Sequence, residues 1–181
     1  MFSTAGWKKT FQGYFDEDVK VILGEVLKAL TANEARRFIW SEVSFFEGWY
    51  STLEDEDRNK FKDLVRSGRF EFVGGGWVQH DEALNDLYAI LDHMTEGHKY
   101  LLANFGVRPK IGWQIDTFGH SSLTPMLFPL MGLKGKWHFC LGPGLRSDFL
   151  RDLRILVDGV CCAHSLSLLC RFAPQIWSST G

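Results

Sequence analysis

Asp116 is the residue best placed for chemistry in this 181-residue chain. It closes the apolar run Ile111-Gly112-Trp113-Gln114-Ile115 and precedes the loop Thr117-Phe118-Gly119-His120-Ser121. In parallel α/β folds, ligands collect beyond the carboxyl ends of the strands. A carboxylate there can act as nucleophile, general base or metal ligand. It can equally cap a helix starting near Ser121, or serve in a salt bridge. Position alone leaves these roles open.

Two other strand ends carry polar groups. One lies near Glu42. The other is Gly74-Gly75-Gly76-Trp77-Val78-Gln79-His80-Asp81-Glu82. His80, Asp81 and Glu82 have the types a metal or acid–base site needs, but adjacent side chains rarely converge on one ion. The favoured expectation is that Asp81 and Glu82 place negative charge at a helix N-terminus. The three glycines lack GxGxxG spacing and a Lys-Ser/Thr sequel, so nucleotide binding has little support. His93 and His98 are not at the i, i+4 spacing of a helical zinc pair, and solvated faces are expected for them. No Gly-x-Ser-x-Gly elbow occurs. The four cysteines, Cys140, Cys161, Cys162 and Cys170, include an adjacent pair that suits neither a CxxC metal site nor an easy disulfide.

The elements that must position these residues alternate. Val19, Ile22, Leu23, Val26, Leu27 and Leu30 form one apolar helical stripe. Residues 37–44 (RFIWSEVS) read as a buried strand. Ser51-Thr52-Leu53-Glu54 has the capping-box form, and Gly68 suits a left-handed stop to the helix that follows. Residues 69–73 are a second strand. Leu87, Ile90, Leu91, Met94, Leu101, Leu102 and Phe105 mark a long helix, and 111–116 a third strand. The order α-β-α-β-α-β argues for a parallel sheet with crossover helices, hence an α/β fold, either an open sheet or an arc of a barrel. From Trp137 the composition shifts: the last Glu is Glu96, the last Lys is Lys136, and all cysteines follow.

Composition excludes several classes. With 20 basic and 22 acidic residues the formal charge is −2, so no basic patch favours nucleic acid. Apolar residues at 45% and charged ones at 23% exclude disorder, collagen and coiled coil. No apolar run reaches the roughly 18–20 residues of a membrane helix. Residues 1–15 lack a basic-then-apolar leader pattern, which by itself points to the cytosol. Seven Trp, four Tyr and fifteen Phe suit either sugar stacking or a packed core, and the core is the favoured assignment.

Three stretches carry a family resemblance. Residues 112–121 (GWQIDTFGHS) resemble the α-mannosidase signature of glycoside hydrolase family 38, W-x-I-D-P-F-G-H-S. Residues 70–83 (FEFVGGGWVQHDEA) resemble its E-F-V-x-G-G-W-V-M-x-D-E-A, and residues 37–46 (RFIWSEVSFF) its R-K-F-I-W-x-E-I-x-F-F. The likeness covers roughly residues 6 to 135. It implies a fold, the N-terminal seven-stranded β/α barrel of these enzymes, present here in part. It implies retaining hydrolysis of terminal α-linked mannose from N-glycans or oligosaccharides, with a zinc ion on the sugar hydroxyls. By the same resemblance Asp116 matches the nucleophile, which is also a zinc ligand. Trp7 matches the residue on which mannose stacks, and Phe118 a second aromatic of the pocket. The family works in the lysosome, the vacuole, the Golgi or outside the cell.

The chain departs from the pattern at its ends. The family's H-x-D-P-G-W supplies zinc-binding His and Asp, whereas Phe2 and Thr4 stand at those places here, and neither is a strong zinc ligand. Thr117 replaces a proline, and Cys140 falls near an expected arginine. The family's acid/base carboxylate and last zinc histidine are expected beyond residue 181. The resulting expectation is a partial catalytic barrel over 1–136 and a divergent tail over 137–181, within a chain truncated at both ends that is an inactive fragment on its own. Two other functions compete: a non-catalytic sugar-binding or regulatory isoform that keeps Trp7 and Phe118, and a metal-dependent carbohydrate deacetylase.

Overall fold

The computed structural model describes residues 8–114, 117 and 121–133. Asp116, Phe118, Trp7, Phe2, Thr4, the four cysteines and the expected tail lie outside these residues. The described elements are α1 (Phe11–Tyr14), a π-helical turn (Phe15–Val19), α2 (Lys20–Ala32), β1 (Phe38–Trp40), α3 (Val43–Ser51), α4 (Asp55–Arg66), β2 (Phe70–Phe72), α5 (Leu87–Phe105) and α6 (Leu123–Leu130).

The expected stripe on α2 buries Leu23, Leu27 and Leu30. The helix ends where the Arg69 guanidinium donates to the carbonyls of Leu30 and Asn33, the latter at 2.7 Å. Asn33 O also accepts from Arg36 N–H at 3.2 Å, and the cation just before β2 adds to the capping of this C-terminus.

β1 and β2 pair in parallel, with Phe38 opposite Phe70, Ile39 opposite Glu71 and Trp40 opposite Phe72. Parallel pairing requires a crossover, and α3 and α4 supply it. Two expectations change here. The strand expected over 37–44 stops at Trp40, and Val43 already belongs to α3. Its first amides are claimed by the loop after β2: Val43 N–H donates to Gly76 O at 3.0 Å and Ser44 N–H to Trp77 O at 2.9 Å. The capping box is not formed either. Ser51 is the last residue of α3, its hydroxyl donates to Gly48 O at 2.8 Å, and Glu54 is the N-cap of α4 without a side-chain bond. Gly68, at φ 68°, does follow the end of α4 as expected.

The third strand is absent among the described residues. Residues 111–114 contribute one backbone bond, Gly74 N–H to Ile111 O at 2.7 Å. Gly74 and Gly75 take φ of 64° and 75°, and Gly75 N–H turns back onto Val73 O at 2.6 Å. No further backbone bond among the described residues joins 111–114 to the end of β2. The sheet among the described residues is two-stranded.

Most of the described aromatic residues pack in the core, as favoured. Phe46 is fully buried and lies 4.9–6.1 Å, ring centre to ring centre, from Trp49, Tyr50, Phe61, Phe70, Phe72 and Phe105. Offset and edge-on contacts of this kind add to the area they bury. The core joins α2, α3, α4, both strands and the end of α5 behind the strand ends, and fixes where the loops start.

Candidate functional site

The carboxyl end of β2 opens into Gly74, Gly75 and Gly76, all buried. Their bareness lets α5 approach. A Cβ on Gly97 would sit 2.1 Å from Gly75 O and 2.7 Å from the Gly76 carbonyl carbon, so helix and loop touch backbone to backbone. That approach brings His93 and His98 against the loop. His98 Nε2–H donates to Gly74 O at 2.9 Å, and Trp77 N–H donates to His93 O at 2.9 Å. Neither histidine is on a solvated face; both are half-buried, contrary to the sequence expectation.

His93 Nε2 lies 3.0 Å from His80 Nδ1. The proton positions follow from the far side of His80. Gln114 Nε2 lies 3.1 Å from His80 O, and a carbonyl only accepts, so this atom is the amide nitrogen. Its second hydrogen points to His80 Nε2 at 3.3 Å. That ring nitrogen therefore accepts, and the proton of neutral His80 resides on Nδ1 and is donated to His93 Nε2. The proton of His93 is then on its Nδ1, which has no hydrogen-bond partner among the described residues. Burial holds His80 below its ordinary value, against the pull of Asp81. Burial, then the neighbouring His80 and His98, push His93 down to about 4. Both rings are neutral near pH 7.

The two acidic residues beside His80 divide their roles. Asp81 accepts from Ala83 N–H at 3.3 Å in a local turn. The buried Glu82 accepts from Ser121 N–H at 2.9 Å and from the Thr124 hydroxyl at 3.0 Å. The expected negative charge at a helix N-terminus is thus present, at α6 rather than at the next helix in the chain. α5 is capped instead by Asp86, which accepts from Tyr88 N–H and Ala89 N–H at 2.9 and 3.2 Å. Glu42 is buried at the N-cap of α3, and Trp40 Nε1–H donates to its carbonyl at 2.7 Å.

These strand ends converge. Ser41, Gly74, Gly75, Gly76, Gln79, His80, Trp113 and Gln114 line a cavity of about 10 Å³, with Val78, Met94 and Phe128 at its sides. That space holds about one water, not a sugar ring. Among the described residues no group of three or more His, Cys, Asp or Glu could hold a metal ion. Sequence reading overlooked Gln114 as a site residue and His93 as a partner of His80. A helix-interior glycine, Gly97, was the one local signal of the close contact that joins them.

Comparison with known proteins agrees with the motifs. The model of the glycosyl hydrolases family 38 N-terminal domain matches residues 4–139. Alpha-mannosidase C of Dictyostelium discoideum is 46% identical over 129 residues, covering 71% of this chain and 12% of that protein. Alpha-mannosidase 2 of Spodoptera frugiperda is 40% identical over 130 residues, covering 72% and 12%. Alpha-mannosidase 2 of Homo sapiens is 39% identical over 168 residues, covering 86% and 15%. The chain spans 12–15% of the length of these relatives.

Proposed function

The chain belongs to glycosyl hydrolase family 38, and from that membership we propose that it forms part of the catalytic domain of an α-mannosidase. The reaction is retaining hydrolysis of terminal α-linked mannose from N-glycans or mannose oligosaccharides. On this reading residues 1–136 are an arc of a seven-stranded β/α barrel, and 137–181 a divergent tail. The compartment is the lysosome or vacuole, or the Golgi lumen, following the family.

Asp116 is the proposed nucleophile. A retaining glycosidase needs one carboxylate to form a glycosyl ester with the sugar and a second carboxyl group to protonate the leaving oxygen and later activate water. The second is expected outside these 181 residues. Trp7 and Phe118 offer flat apolar faces to the C–H face of the ring. The observation that carries this reading is the convergence of Gly74–Gly76, His80 and Gln114 at the carboxyl ends of a parallel pair, inside the stretch the family model covers.

Zinc enters as the family's metal, with Asp116 as one ligand. Among the described residues no donor set completes a site. Phe2 and Thr4 replace the expected His and Asp, and His80 and His93 use their facing nitrogens on each other.

The test is release of nitrophenol from an aryl α-mannoside by the purified protein, with and without a chelator. Activity that Asp116→Asn lowers by roughly a thousand-fold or more supports the assignment. An active protein indifferent to that substitution sinks Asp116 as nucleophile. A protein that hydrolyses nothing, yet is stabilised against heat by mannose, favours the sugar-binding alternative.

A further inference from the structure

Two arms leave one tripeptide. The carbonyl of His80 accepts from Gln114 Nε2 at 3.1 Å. Two residues on, the Glu82 carboxylate accepts from Ser121 N–H at 2.9 Å and the Thr124 hydroxyl at 3.0 Å. Gln114 and Ser121 flank, along the chain, the stretch that carries Asp116. Within that stretch Thr117 donates to Gln114 Oε1 at 3.4 Å. Glu82, Gln114, Thr117 and Thr124 are exposed by only 7%, 3%, 6% and 1%, so water competes little for these bonds.

The start of α6 is capped from two sources. Ser122 stands at the N-cap position and makes no side-chain cap bond. A local hydroxyl is the ordinary cap. The Ser121 hydroxyl supplies that local acceptor, taking Leu123 N–H at 3.1 Å, while a carboxylate from 39 residues upstream takes the amide of Ser121 itself and brings its charge to the positive end of the helix. A local cap would stabilise α6 alone. The remote one also ties α6 to the loop after β2.

We propose that Glu82 is a positioning residue: with the His80 carbonyl, its carboxylate ties Gln114, Ser121 and Thr124, the described residues on either side of Asp116 in the chain, to the loop after β2, and hydrolysis by Asp116 depends on that tie. The inference rests on the reading of Asp116 as nucleophile. Glu82 itself acts through Ser121 and Thr124 and not on substrate.

The experiment compares Glu82→Ala, Glu82→Gln and Thr124→Val in the whole 181-residue chain. Amide exchange is followed by mass spectrometry, and aryl α-mannoside hydrolysis is measured on the same preparations. Loss of a charge-assisted acceptor should speed exchange at 121–124 by about ten- to a hundred-fold in Glu82→Ala, with α2 and β2 unchanged. Glu82→Gln keeps an acceptor oxygen and should recover part of the protection; Thr124→Val should show a smaller local rise. Where hydrolysis is measurable, kcat should fall in the same order while KM holds, the signature of a displaced nucleophile rather than lost binding. Unchanged exchange over 114–124 in Glu82→Ala overturns the inference. So does a rise that is equal in α2 for Glu82→Ala and Thr124→Val, which makes Glu82 an ordinary core group. If the exchange pattern appears in a chain without hydrolysis, the positioning bond stands and the nucleophile reading fails.

Discussion

His80 Nδ1 donates to His93 Nε2 across 3.0 Å, and the direction of that bond is set by Gln114 on the other side of His80. An added proton has nowhere convenient to go. On His80 Nε2 it would face the Gln114 amide hydrogens, and on His93 Nε2 it would face the proton His80 already donates.

Acid should therefore destabilise the fold through this pair. Both folded-state values lie below the ordinary 6.5, His93 at about 4. Between those limits the unfolded chain binds more protons than the folded one, so stability rises with pH across the window. The contribution is complete above pH 6.5 and is lost as pH falls toward 4. For His93 it amounts to at most about 3 kcal/mol. Thermal melts at pH 7 and pH 4.5 should show a larger drop for the native chain than for His93→Gln. Equal drops would show that the pair does not titrate in this range.

Gly97→Ala should cost about 2–4 kcal/mol in urea denaturation. Its Cβ would lie 2.1 Å from Gly75 O and 2.8 Å from Trp77 N, both backbone atoms that cannot swing aside. Gly24, inside α2, has nothing within 4 Å of the same built atom. Gly24→Ala should raise stability by about 0.5–1 kcal/mol through helix propensity alone. A tolerated Gly97→Ala would mean that α5 does not rest on the glycine loop.

Phe46→Ala should cost about 3–5 kcal/mol, because it leaves a cavity at the centre of six aromatic neighbours. Tyr88 is 77% exposed, and Tyr88→Ala should stay within about 0.5 kcal/mol of the native value. Comparable urea midpoints for the two variants would contradict the placement of the core.

The sequence by itself determined the parts whose cause is local. The apolar stripe of α2, the span of α5 from Leu87 to Phe105, the left-handed stop at Gly68 and the strand at Phe70–Phe72 each follow from periodicity or backbone freedom over a few residues. The motifs around residues 37–46, 70–83 and 112–121 likewise carried the family. Tertiary structure decided what depends on distant partners. Residues 43–50 are buried almost throughout, so their run looks the same for a strand and a helix; the Gly76 and Trp77 carbonyls on the Val43 and Ser44 amides accompany the helix. Residues 111–114 have the composition of a strand, yet among the described residues a single backbone bond, Gly74 N–H to Ile111 O, joins them to the end of β2. His80 meets His93 because two glycine surfaces let a helix and a loop come into backbone contact, and Glu82 meets Ser121 because α6 begins beside that loop. Periodicity encodes which face is apolar, whereas a hydrogen bond between residues 13 or 39 apart exists only once packing has brought the two groups within reach.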